Sequence, residues 1–238
     1  LDPKGMYVAS AELNQVVIRR LKKSSDGPPG HVAQRLYNAR VPRFLTFEPG
    51  THRFLVAGND GRPPRYDLDK PQVLEPFLNV SSPIVDGALD LDTNGYYATT
   101  SDGSIAVFDY GAGKIARDLD LDIGPKPHIA LSKSRMAVVS ELRGLRPDEE
   151  RRGELVIYDL LEDDILQSLN VTDAIDVEFA PAGPKVFYAG RSAVIEAWNY
   201  ENNQRKKIFD DLNSTAARLR MSPGGVQLAL CGDQGVAF

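Results

Sequence analysis

The stretch "DLDTNG", Asp90 to Gly95, sets oxygen donors at alternate positions, Asp90, Asp92 and Asn94, ahead of a glycine that permits a sharp turn. These are the opening requirements of a calcium loop, because a hard cation takes oxygen ligands on a tightly turned backbone. The set is incomplete. The twelfth position, where a bidentate Glu closes such a loop, is Ser101, and shorter loops that need a late acid meet Ala98. A second acidic run, Asp118, Asp120 and Asp122, has Gly124 one place late and Ile129 where the Glu would stand, which suits a solvated strand face. The three imidazoles, His31, His52 and His128, lack the paired spacing of a zinc site, and no Gly-x-Ser-x-Gly turn presents a serine nucleophile. Cys231 is the only cysteine, so neither an internal disulfide nor a cysteine metal knuckle can form. No catalytic, metal-binding or cofactor-binding set is assigned.

Asp102 also looks chemical until the elements around it are read. In "TTSDGSIAVFDY" it sits beside Gly103 between two runs of alternating apolar residues, and Asp60-Gly61 and Asp233 hold the corresponding turns elsewhere. An Asp that bonds its own backbone beside a Gly able to take positive φ is hairpin chemistry. The hairpin belongs to a repeat. The stretches "LDPKGMYVAS", "FEPGTHRFLVAG", "LDTNGYYATTS", "LSKSRMAVVS", "FAPAGPKVFYAG" and "MSPGGVQLALCG" each show an apolar strand, a Pro/Gly/Ser/Asn turn and a second apolar strand. They align on Pro3, Pro49, Thr93, Lys133, Pro181 and Pro223, at intervals of 46, 44, 40, 48 and 42 residues. A period in this range with several short strands per unit points to propeller blades. A third strand follows in each complete unit ("PRYDLD", "SIAVFDY", "ELVIYDL", "VIEAWNY"), and then a fourth, the most charged ("VLEPFLNV", "KIARDLDL", "ILQSLNV", "RKKIFDDL").

This pattern resembles the WD-repeat family of β-propellers and the related YVTN and quinoprotein-like propellers, over essentially the whole chain. Phe108-Asp109, Tyr158-Asp159, Tyr66-Asp67 and Trp198-Asn199 stand where that family has its Trp-Asp pair. Arg19-Arg20 replaces the pair in the first unit, and Gly30-His31, the one Gly-His dipeptide, lies too far before Phe47 for the family's spacing. The resemblance implies an all-β propeller of four-stranded antiparallel blades, with five to six blades present of a six- or seven-bladed ring. The expected organisation is a single domain over 1–238, incomplete at both ends, in units of about 1–38, 43–80, 87–121, 128–171, 175–212 and 216–238. Flanking domains are expected in the full-length protein.

Function follows the same resemblance, which implies a non-enzymatic scaffold that holds a protein or peptide on its loop faces. The alternative is the propeller of an enzyme, lactonase-like or quinoprotein-dehydrogenase-like, which needs polar groups converging at a channel. One segment breaks the repeat: "ELRGLRPDEERRGE", 141–154, an insertion between the second and third strands of the fourth unit. Its Arg143, Arg146, Arg151 and Arg152 offer planar donors, and Asp148, Glu149 and Glu150 can pair with them, so it is the candidate partner-binding loop. The formal charge of -5 and the acidic runs would repel a phosphate backbone, which argues against nucleic acid. No apolar run is long enough to span a membrane. A single cysteine and the lack of a visible signal peptide favour the cytoplasm, for a chain whose first residue is Leu rather than Met.

Overall fold

A computed structural model describes the chain except residues 1–4, 13–14, 23–26, 37–41, 49–50, 59–60, 62, 71, 75–79, 91–92, 94, 110–113, 120, 122, 142–151, 173, 193, 211–215, 223–224, 233–234 and 238. All regular structure among the described residues is β-strand, and no helix is long and apolar enough to cross a membrane. The strands form six antiparallel sheets in which every strand pairs with its sequence neighbour, with no crossover. The first sheet holds β1 (Tyr7–Glu12), β2 (Gln15–Arg20) and β3 (Val32–Leu36). The second holds β4 (Phe44–Phe47), β5 (Arg53–Ala57), β6 (Arg65–Asp67) and β7 (Gln72–Leu74). The third is β8 (Ile84–Asp90), β9 (Gly95–Thr100), β10 (Ile105–Asp109) and β11 (Lys114–Leu119). The fourth is β12 (His128–Ser132), β13 (Arg135–Glu141), β14 (Arg152–Asp159) and β15 (Asp164–Thr172). The fifth is β16 (Ala174–Phe179), β17 (Lys185–Gly190), β18 (Ile195–Asn199) and β19 (Gln204–Phe209), and the sixth is β20 (Ala216–Met221), β21 (Leu228–Gly232) and β22 (Gly235–Ala237).

The chain divides into two compact units, Leu1–Asp120 and Leu121–Phe238, each carrying three sheets. In the first unit, β5 shows why second strands read as unbroken apolar runs. Its Phe54 and Val56 pack with Val16, Ile18 and Tyr66, while the alternate Leu55 and Ala57 pack with Ile84, Tyr96 and Phe108 of the third sheet. A strand buried on both faces has no polar side to alternate with. The second unit repeats the arrangement. Val139, Leu155 and Ile157 of the fourth sheet meet Val186, Tyr188 and Trp198 of the fifth, and Ala189 and Ile195 on the other face of the fifth meet Leu219 and Leu230 of the sixth. Burying one such side chain contributes about 1.5 to 3 kcal/mol.

Fourth strands are different. All six residues of β19 are exposed, and β15 is exposed along most of its length. In β11 Asp118, expected on a solvated face, is exposed, and the next residue, Leu119, is buried.

Candidate functional site

The aromatic–acid pairs at the ends of third strands build turns. Asp159 Oδ1 accepts from the amides of Leu161 and Glu162 at 2.9 and 3.1 Å, and those bonds hold its carboxyl below the usual range. Asn199 Oδ1 does the same for Glu201 and Asn202, at 3.1 and 3.3 Å. The preceding aromatic finishes the turn. Tyr158 Oη donates to Asp163, and Trp198 Nε1 donates to Asn203 Oδ1 at 3.0 Å. Asp163 and Asn203 take φ of 59° and 55°, a left-handed region that Asp and Asn tolerate better than other side chains. Both acceptors lie five residues after their aromatic, a spacing visible in the sequence.

Asp102 is likewise a turn residue. It accepts from Ser82 Oγ, from Thr100 Oγ1 at 2.5 Å and from the Ser104 amide at 3.2 Å, and these bonds, the Ser82 one foremost, bring its carboxyl down to about 2. These bonds make it the acceptor that closes the hairpin turn. Asp90 accepts from Thr93 Oγ1 at 2.6 Å, while Asp92 and Asn94 of the calcium-loop pattern lie outside the described residues.

The imidazoles have separate duties. His31 Nδ1 donates to the Pro28 carbonyl at 2.7 Å, and His52 stands 3.1 Å from Asp69 and edge-on to Tyr7. His128 opens the innermost strand of the fourth sheet, where Arg218 Nη1 approaches its Nδ1 to 2.6 Å. A guanidinium can only donate, so Nδ1 is the acceptor in this contact.

His128 belongs to a charged position that the register reveals. Counting from the paired third strand, one place on the first strand is Asp86 in the third sheet, His128 in the fourth, Asp176 in the fifth and Arg218 in the sixth. In β8, β16 and β20 a register shift immediately precedes it, and a bulge of this kind re-aims a side chain. Asp176 is fully buried. Its Oδ1 accepts from the Val177 amide at 3.0 Å, and its Oδ2 accepts from the Leu219 amide at 2.8 Å and from Arg220 Nη1 at 3.0 Å. Arg218 stands 3.9 Å away, and Arg220 also reaches Glu178 at 3.3 Å. One carboxylate thus stitches the fifth sheet to the backbone of the sixth. Sequence reading passed over Asp176, Arg218 and Arg220, because the partners lie 43 and 44 residues apart in the chain.

A second polar triad sits on the other face of the fifth sheet. Tyr188 Oη donates to Glu196 Oε2 at 2.7 Å, and Arg205 donates to both. Burial pushes the Tyr188 phenol upward, with Glu196 adding to the effect. Burial would raise the Glu196 carboxyl too, but its bonds to Tyr188 and Arg205 prevail and hold it down. The triad is charge-matched and closed.

The candidate loop is carried by the fourth sheet. Of its named residues, Arg143, Arg146, Asp148, Glu149, Glu150 and Arg151 lie outside the described residues, and Arg152 is the first residue of β14, paired with Thr172. The segment expected to be insertion from 141 to 154 is shorter than that. Glu141 pairs with Gly153 and Ser140 with Glu154, so both strands run into it. The reason is packing as well as pairing: a Cβ at Gly153 would meet the Ser140 carbonyl oxygen at 2.6 Å, so glycine lets the strands close.

No family model matches the chain, and no curated protein matches it. Among solved structures it is similar to the WD40 domain of Neurospora crassa Pan2, at 15% sequence identity and a TM-score of 0.74, over 94% of this chain and 68% of that one. With its succession of antiparallel sheets, this chain has a WD40-like β-propeller fold.

Proposed function

We propose that the chain is a non-enzymatic interaction module that captures a protein or peptide partner through the loop between β13 and β14. The observation that carries this reading is the stem of that loop. β13 and β14 stay in register from Arg135–Asp159 out to Glu141–Gly153, and their Val139 and Leu155 are buried in the core. A stem so fixed lowers the entropy lost when a loop engages a partner. The composition of the loop supports the same reading. Its sequence supplies the forked donors Arg143, Arg146, Arg151 and Arg152 and the acceptors Asp148, Glu149 and Glu150, and a surface ion pair between such groups is worth only about 0 to 1 kcal/mol, which a partner can displace.

The test replaces 143–152 with an Asn-Gly turn. The expected result is unchanged folding with at least a fivefold drop in the partner recovered by pull-down from the native lysate. Recovery of the same partners at the same yield would reject the loop as the binding surface.

A further inference from the structure

We propose that the second unit carries a separate anion-accepting groove, built to take an acidic side chain of an extended peptide. It deepens the interaction reading given above, on which it rests, and places a second contact away from the loop. The groove has a volume of about 400 Å³ and lies between the first-to-second-strand turns of the fourth and fifth sheets. That is within the range of small-ligand sites, enough for a side chain and the backbone flanking it.

Its donors come from four consecutive residues, Ser132, Lys133, Ser134 and Arg135, all of which line it. Lys133 adopts φ of 53° in the turn and is exposed. Its ammonium and the hydroxyls of Ser132 and Ser134 have no partner among the described residues. Arg135 is already positioned: its Nη1 donates to Tyr200 Oη at 2.7 Å and its guanidinium lies 5.3 Å from the centre of that ring. A guanidinium fixed in this way has further N–H groups to offer and less freedom to lose.

The opposite wall is rigid. Tyr200 and Phe179 are buried, and the Tyr200 amide donates to the Pro184 carbonyl at 3.0 Å. Ala180 and Lys185 close the turn between them through a 2.9 Å backbone bond. Lys133 and Arg135 outnumber the one carboxylate among the lining residues, Glu201, and Asp159, paired with Arg135 across the strands, offsets only part of that cationic excess in a chain of formal charge -5. A local field opposite in sign to the whole molecule selects for anions and against most of its own surface. Serine hydroxyls, an ammonium and a guanidinium together suit an oxyanion, either a carboxylate or a phosphoryl group on the peptide.

The chain contains its own reporter. Trp198 is the only tryptophan, and its ring centre lies 6.2 Å from that of Tyr200. The experiment titrates the whole chain with acetyl-Ala-Glu-Glu-Glu-Ala-amide, with the same peptide carrying phosphoserine at its centre, and with the all-Gln counterpart, followed by tryptophan emission and by calorimetry. The acidic peptides should bind at least tenfold more tightly than the Gln peptide, and the tighter of the two identifies the oxyanion. Lys133→Glu should weaken binding at least tenfold, Ser132→Ala with Ser134→Ala severalfold, and Glu201→Gln should strengthen it. These positions are chosen because Arg135 touches Tyr200 and its loss would alter the emission directly. Equal binding of the Gln peptide, no binding by either readout, or unchanged affinity in Lys133→Glu would each overturn the proposal. Replacing 143–152 should leave this titration unchanged, so failure of the groove and failure of the loop are separate results.

Discussion

The inner and outer strands of the fifth sheet both carry charge, and they use it in opposite ways. On β16, Asp176 is fully buried and binds the amide of Leu219 and the guanidinium of Arg220 in the neighbouring sheet. On β19, Lys206 and Lys207 are exposed, and Lys207 meets Asp210 at 3.4 Å across open surface. The buried charge is an obligation: remove it and the Leu219 amide loses its acceptor in the interior while Arg220 loses one of its carboxylates. The exposed charges are protection, since cationic side chains on an outer strand discourage another chain from pairing with its edge. The value of a charge is therefore read from what its loss would strand, not from its presence.

That contrast predicts a ranking. Asp176→Ala should be the most damaging change, lowering unfolding free energy by about 3 kcal/mol in a urea titration. Asp176→Asn, which keeps an acceptor for Leu219, should cost less. If both are silent, the inner strand is no more committed than the outer one and the comparison fails. Trp198→Phe comes next. It removes the bond to Asn203 and leaves part of a fully buried site unfilled, for a loss of about 1 to 2 kcal/mol, and the near-ultraviolet dichroism of the turn should weaken with it.

A smaller effect is expected from acid. The Asp102 carboxyl is depressed to about 2 in the folded chain against an ordinary 3.8, so its contribution is fully present above 3.8 and is lost as the pH falls through about 2. Because Asp102 is exposed, screening keeps this contribution well below that of a buried carboxylate. Asp102→Asn should flatten the fall in urea midpoint between pH 4 and pH 2 while leaving the midpoint slope above pH 5 unaltered. The smallest effect belongs to β19. Lys207→Ala should change stability by less than about 0.5 kcal/mol, and a larger loss would show that outer charges are structural after all.

Much of this frame was legible in the sequence. The apolar runs on either side of the turn in "SDGSIAVFD" and its counterparts located the hairpins, and their lack of polar positions reflects strands such as β9 and β10 that are buried on both faces. The aromatic–acid pairs marked the ends of third strands, and turn chemistry explained Asp102 before its partners were known. The acidic run "DLLEDD" was legible only in part. As composition it reads only as acidic charge that would repel a phosphate backbone, whereas the backbone makes Asp159 a cap and Asp163 the acceptor for Tyr158. Asp176 was not legible at all. One acid in "AIDVEF" looks like a polar-face residue until a bulge turns it inward and brings Leu219 to meet it. His128 was likewise read as a lone polar group, since Arg218 lies 90 residues further on. Contacts within a repeat follow from its period, while contacts between repeats depend on register shifts that the period does not encode. The groove lined by Ser132 to Arg135 escaped for the same reason, as it exists only where the turns of two sheets come side by side.

The most direct test is residue-resolved amide hydrogen exchange across the fifth and sixth sheets at neutral pH. Val177 and Leu219, held by Asp176 in the dry interior, should exchange only with global unfolding, and Asp176→Ala should speed both by at least a hundredfold. The amides of β19 should exchange orders of magnitude faster through local opening, with no response to that substitution. Equal protection of β16 and β19, or an Asp176→Ala chain in which Leu219 stays as slow as before, would contradict the division between a committed inner frame and a replaceable outer surface.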